Sequence, residues 1–244
     1  KPTDDPSKNI LFGRIAYHGV AMGPAAILEE RLGFADILHE EEVDIPTELQ
    51  KLESALEKTS IQTIFLEKRV AERLSESDSA IFHTHLMILE DRSFINKLEQ
   101  EIKGGHSAAY ALEKIVANYI EAFAKMDDPY LRERAVDMED IGRRILANLV
   151  GDEADHALYL KHPSVLVARV ILPSDMAALD NDQILGIITE DSETNSHAVI
   201  MAKSMDIPAI VGARGALRQI APEDDLIIDA NSGQIYVKPM AAVR

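Results

Sequence analysis

The stretch "TEDSETNSHAVIMAKSMDIPAIVGA", Thr189 to Ala213, decides how this chain folds. A short apolar run, Ile184-Leu185-Gly186-Ile187-Ile188, leads into it, and a polar loop then delivers His197. An amphipathic stretch follows the histidine, and a second apolar run, Ala209-Ile210-Val211, closes the segment. Strand, polar loop, helix and strand in that order spell an α/β unit whose loop places one histidine at a helix start.

The texture on either side agrees. Val165-Leu166-Val167 reads as another short strand, and "DLIIDANSGQIYVKP" reads as a β-hairpin turning at Asn231-Ser232-Gly233. Near the other end, "GRIAYHGVAMGPAAIL", residues 13–28, is a set of apolar runs broken by glycine and proline, which predicts strand and turn. Between these lies a different period. Asp44 can cap and Pro46 suits a first turn, after which Leu49, Leu52, Leu56, Leu66 and Val70 share one helical stripe, interrupted by Thr59 and Thr63. Three further helical stretches are expected. One ends at Gly104-Gly105, the next is capped by Ser107 and carries Leu112, Ile115, Tyr119 and Phe123, and the last opens at Asp128-Pro129 and stops at Gly151. Short connections between amphipathic helices predict a bundle over about residues 44–150. The fold class expected is an α/β domain interrupted by an inserted α-helical bundle, with residues 1–32 and 152–244 in the first and 33–151 in the second.

Composition sets the limits. The 244 residues are 46% hydrophobic and 27% charged, as in a folded globular protein, and suffice for two ordinary cores. No apolar run approaches the ~18 residues of a membrane span, and "KPTDDPSKN" has no signal-peptide core. With no cysteine, thiolate metal sites and disulfides are excluded, and a cytoplasmic location is expected. Lys1 in place of methionine reads as a piece cut from a longer protein. A net charge of −17 argues against nucleic acid as a partner and suits a basic protein, although simple solubility accounts for it equally well.

Imidazole is nucleophilic while neutral and titrates near neutrality, so His197 can accept and pass on a phosphoryl group. A helix start offers such a group N–H donors and the positive end of the helix dipole, with Asn195 and Ser196 as further donors. A histidine near a helix start is also a common cap or surface residue, and spacing alone leaves both readings open.

"NSHAVIMAKSMDIPAIVG", Asn195 to Gly212, resembles the phosphohistidine signature of the phosphoenolpyruvate-utilising enzymes. "AIFHTHLMILED", Ala80 to Asp91, and "DDPYLRERAVDMEDIGRRILANLVG", Asp127 to Gly151, further resemble the carrier-binding helices of Enzyme I of the bacterial phosphotransferase system, and "GVAMGPA", Gly19 to Ala25, its first strand and turn. The resemblance implies a swivelling phosphohistidine domain and an exchange of phosphoryl groups between His197 and a small HPr-type histidine carrier. The roles it implies are phosphate support by Asn195 and Ser196 and carrier contact by Glu76, Ile81, His85, Leu89, Asp91 and Arg134. It also implies that phosphoenolpyruvate, Mg2+ and the homodimer contact belong to a C-terminal barrel outside this chain, so the piece is expected to be a monomer without cofactor or metal. Three departures stand out: Ser192-Glu193 where the family has a glycine pair, Asn195 for threonine and Lys203 for arginine. Asn-Ser-His is reminiscent of the nitrogen-regulatory form.

Residue by residue, plainer readings stand beside these. His83 and His85 point to different helix faces, which is wrong for joint metal binding. Glu76, Asp78, Glu90 and Asp91 read equally as a solvated face or as an acidic rim for a basic carrier. Ile81, Met87 and Leu89 read as core or as an apolar docking patch, and Arg134 as an interface residue or a helical salt bridge. The alternatives in function are the matching part of a multidomain protein serving dihydroxyacetone kinase, and a catalytically silent carrier-binding module.

Overall fold

The structure is a computed structural model that describes residues 9–28, 43–151, 160–194 and 196–239. It divides into two compact units, Lys1–Glu30 with Ala157–Arg244, and Arg31–His156. The domain boundaries expected after residue 32 and at residue 152 lie outside the described residues.

The first unit is α/β. Its strands are β1 (Ile10–Phe12), β2 (Arg14–Tyr17), β3 (Val20–Ile27), β4 (Ser164–Ala168), β5 (Ile184–Thr189), β6 (Ala209–Val211), β7 (Asp225–Asp229) and β8 (Gln234–Val237). They form one mixed sheet in the order β1-β8-β7-β3-β4-β5-β6-β2. From β3 to β6 the strands run parallel, and the remaining pairs are antiparallel. Every residue of β4 and β6 is buried, as expected of parallel strands covered on both faces.

The two edge strands, β1 and β2, are consecutive in the chain with only Gly13 between them. One residue can join opposite edges only if the sheet curls until they meet. Gly13 makes that junction: its N–H donates to the Gly233 carbonyl (3.0 Å) beside β8, and a Cβ on it would lie 2.5 Å from Ile210 Cγ2 on β6. Meeting edges leave few strand hydrogen-bonding groups exposed. The expected hairpin is present: Asp229 accepts from Asn231 N and the Ser232 hydroxyl, and Gly233 turns the chain at φ +76. Those hydrogen bonds, the Ser232 hydroxyl foremost, hold the Asp229 carboxyl below the usual range.

The second unit contains α1 (Ile45–Arg73), α2 (Glu76–Leu89), α3 (Arg92–Lys103), α4 (Ala108–Ala124) and α5 (Pro129–Val150). Asp44 and Ser107 cap α1 and α4 through Thr47 N and Tyr110 N. Apolar stripes of these helices meet in one core: Leu52, Phe94, Leu98, Ile102, Leu112, Val116, Ile141 and Ile145 are each at most 2% exposed. The single helix expected before Gly104 is in fact two. Ser75 caps α2, the chain breaks at Glu90, and Asp91 accepts from Phe94 N (2.8 Å) to start α3. Thr59 and Thr63, which break the apolar stripe of α1, are fully buried. Each donates to the carbonyl four residues earlier at 2.7 Å, and they accept from Asn148 and Arg144 of α5, so polar interruptions on two helices satisfy one another.

Candidate active site

Three parallel strands end together at this site, as ligand sites of α/β sheets usually require. From β4, the Ala168 and Arg169 carbonyls accept from Glu190 N (3.1 Å) and Asp191 N (2.9 Å), and Thr189 at the end of β5 accepts from Ala213 N beyond β6 (2.9 Å). The loop then folds back through a turn bond from Ser196 N to the Glu193 carbonyl (3.3 Å) and enters α7 (His197–Ser204). His197 is the first residue of that helix and is partly buried. Ser196 is its N-cap, with φ −61 and ψ 151, and its hydroxyl accepts from Val199 N at 3.4 Å. Ser196 thus caps the helix start, a role distinct from the phosphate support expected of it; Asn195 lies outside the described residues. Ala198, Val199, Met201 and Ala202 anchor the helix in the core, which fixes the direction in which residue 197 emerges.

Sequence reasoning missed the groups that hold the loop. Arg14 on β2 donates to the Ser192 carbonyl (3.4 Å) and pairs with Glu193 (3.2 Å). Arg169 pairs with Asp191 (3.5 Å), Lys203 donates to the Thr194 carbonyl (3.2 Å), and Glu190 accepts from Leu217 N (3.0 Å). In a chain of net charge −17, three cations are therefore gathered on this one loop. Two hydroxyl oxygens beneath it, Thr189 Oγ1 and Ser192 Oγ, are buried with no hydrogen-bond partner. The other end of α7 is fastened by the same edge strand: Tyr17 of β2 donates to Asp206 at 2.7 Å. No local signal in the sequence could have paired residue 14 with 193, or 17 with 206.

The six residues named for carrier contact lie in the helical unit, and the structure separates them. Glu76 and Asp91 are exposed at the two ends of α2. Ile81 (5% exposed) and Leu89 (3%) belong to the core, and His85 is wholly buried. These three present no surface to a partner, because their faces of α2 pack inward; of the apolar residues weighed there, Met87 is exposed instead, at 63%. His85 sits in a polar cluster: its Nδ1 lies 3.0 Å from Arg144 Nη2, and its Nε2 lies 3.7 Å from Asp137 Oδ1. Arginine can only donate, so Nδ1 accepts and Nε2 carries the proton. Arg134, mostly buried, bonds Asp137 Oδ2 at 3.2 Å one turn along its own helix. His83 is exposed, 3.9 Å from Glu67. Among the described residues no cluster of three His, Asp or Glu could hold a metal ion, and no helix is long and apolar enough to cross a membrane.

Comparison with known proteins matches residues 13–134 to the N-terminal domain of PEP-utilising enzymes and residues 160–233 to their mobile domain. Phosphoenolpyruvate-protein phosphotransferase of Listeria monocytogenes is 33% identical over 232 residues, and that of Geobacillus stearothermophilus 32% over 227, covering 94% and 91% of this chain. The chain spans about 40% of the length of these curated relatives. A solution structure of Enzyme I superposes with a TM-score of 0.72 at 31% identity, covering 95% of this chain and 94% of that one. The N-terminal domain of the nitrogen Enzyme I does so with 0.63 at 26%, covering 96% and 95%. The mobile-domain match contains the whole histidine loop and the N-terminal match the first four helices, and on these grounds the chain belongs to the phosphoenolpyruvate-utilising enzymes.

Proposed function

We propose that this chain is the carrier-binding and phosphohistidine part of a phosphoenolpyruvate-protein phosphotransferase, and that His197 exchanges a phosphoryl group with the histidine of a small HPr-type carrier. The observation that carries the reading is His197 as first residue of α7, at the end of a loop bound to three cations. As the P–N bond of the carrier's phosphohistidine, protonated on its other ring nitrogen, breaks, the neutral imidazole of His197 forms the new one; the carrier's histidine leaves as neutral imidazole and the His197 ring keeps its own N–H. Such a transfer needs mainly alignment and charge stabilisation. The first turn of α7 supplies dipole and N–H donors, with Ser196 shaping that turn and Asn195 adding a side-chain amide.

The α/β unit is read as the swivelling phosphohistidine domain, with residues 33–151 as an inserted helical bundle that docks the carrier. Glu76 and Asp91 would then form an acidic rim around Met87, while Ile81, His85 and Leu89 shape α2 from within. Arg134 would stand at the edge of that surface. Phosphoenolpyruvate, Mg2+ and homodimer formation are assigned to sequence beyond this chain, the chain itself to a monomer in the cytoplasm.

Mixing the protein with phosphorylated HPr-type carrier tests this. The expected product is one acid-labile, alkali-stable phosphate per chain, lost in His197→Ala while that variant keeps its circular dichroism and carrier binding. Labelling of His197→Ala overturns the assignment. Binding without labelling of the unsubstituted protein favours a silent docking module.

A further inference from the structure

The loop carries Ser192-Glu193, which places a carboxylate four residues before His197. The turn bond from Ser196 N to the Glu193 carbonyl folds the loop, so residues 193 and 196 approach to within about 7 Å. Glu193 therefore sits on the loop that leads directly into His197, and charges within about one Debye length, ~8 Å at physiological salt, are not fully screened. A phosphoryl group brings close to two negative charges. An unopposed Glu193 would repel it, and would also favour the protonated imidazole, which is not nucleophilic.

The chain answers with a residue from the far end of the sequence. Arg14 pairs with Glu193 at 3.2 Å and donates to the Ser192 carbonyl at 3.4 Å. Its guanidinium lies against Gly212, φ +70, where an added Cβ would stand 3.3 Å from Arg14 Nε. The edge strand β2 packs on α7 and holds its far end through Tyr17 and Asp206, so Arg14 sits on the element that already fixes the helix. We propose that Arg14 is a positioning residue for phosphoryl transfer at His197, holding the loop through the Ser192 carbonyl and neutralising Glu193 beside the incoming group. The inference rests on the phosphotransfer reading given above.

Other charged groups near α7 differ in placement. Lys203 is on the helix itself, bound to the Thr194 carbonyl; Asp191 is paired with Arg169; Asp175 on α6 (Pro173–Ala178) caps its own helix through Leu172 N; Asp206 accepts from Tyr17. Of these and Glu193, only Glu193 is a carboxylate paired with Arg14. Both partners are more than half exposed, 57% and 64%, so the pair adds little to stability and its effect is local.

The test uses the full chain and phosphorylated HPr-type carrier, with Arg14→Ala, Glu193→Ala, the double variant and Arg14→Lys. Single-turnover transfer rates and the NMR titration of the His197 imidazole are measured at low and high salt. Arg14→Ala should slow transfer about threefold to tenfold and raise the imidazole pKa, both effects shrinking in high salt. Removing Glu193 as well should return the pKa to its starting value and most of the rate, and Arg14→Lys should preserve the pKa. A double variant as slow as Arg14→Ala, or an Arg14→Ala variant unchanged in both readouts, overturns the proposal. Failure of the unsubstituted protein to accept phosphate overturns instead the reading on which it rests.

Discussion

Replacing Arg144 by methionine should unfold the helical unit well before the α/β unit. Arg144 is 8% exposed, and its guanidinium donates to Asp140 Oδ1 (3.0 Å), Thr63 Oγ1 (2.6 Å) and His85 Nδ1 (3.0 Å). Methionine replaces much of the stem but removes all three bonds and the cation 3.0 Å from Asp140, which is wholly buried. Hydrogen bonds to charged groups contribute about 1.5–3 kcal/mol each, and breaking one partner from a buried ion pair costs about 3–5 kcal/mol. The overlap of these terms argues for about 3–5 kcal/mol in all, a fall of roughly 10–20 °C for a unit of this size. Differential scanning calorimetry of the full chain would show the helical transition moving and the other staying. Arg144→Met with Asp140→Asn should recover part of the loss, since the buried carboxylate's charge is then removed together with the guanidinium that faced it. A shift of under about 1 kcal/mol, or a double variant that simply adds the two losses, would refute the reasoning.

Ile81→Ala, at a core position, should cost about 2–4 kcal/mol of stability and leave the carrier's dissociation rate unchanged once folded protein alone is counted; surface plasmon resonance beside thermal melts would check it. Glu76→Lys, at an exposed acid, should slow carrier association and flatten its salt dependence; identical rates across a salt series would place docking elsewhere. Gly13→Ala should destabilise the α/β unit by about 1–3 kcal/mol, because its Cβ would stand 2.8 Å from the Val211 carbonyl oxygen; an unchanged melting temperature would show that the sheet edges are not tightly joined there. Tyr17 donates to Asp206 and is held above the usual phenol range by that bond first, then by desolvation and the carboxylate's charge. A raised pKa favours the fold at ordinary pH and loses that contribution as pH rises through the folded value. Asp206→Asn should bring the phenol titration, followed by ultraviolet absorbance, down toward an ordinary tyrosine.

The local pieces of the site were legible because they are written locally. Val165–Val167, Ile184–Ile188 and Ala209–Val211 became β4, β5 and β6, and the polar loop ended in a helix beginning at His197. Period and breakers likewise placed α1, α4 and α5, with Asp44 and Ser107 as caps. The division between α2 and α3 escaped because the stretch holds neither glycine nor proline, and the break depends on Asp91 capping a new helix. That Ile81, His85 and Leu89 face inward is not settled by the sequence, for another reason. A helix in a bundle can bury more than one face, and the α2 sequence does not say which face its neighbours cover.

By itself, then, the sequence determined what neighbouring residues can settle: element type from period, helix starts from caps, and a histidine at a helix start. Only the tertiary structure decided what depends on residues far apart. Gly13 sends β1 and β2 to opposite edges of a sheet that closes on itself. Thr59 and Thr63 find their partners on α5, and Arg14 meets Glu193 across almost the whole chain. The physical reason is that caps and periods act within a turn or two of backbone. Burial and ion pairing instead reward whichever surfaces the folded chain brings together, and that choice is made by all of the packing at once.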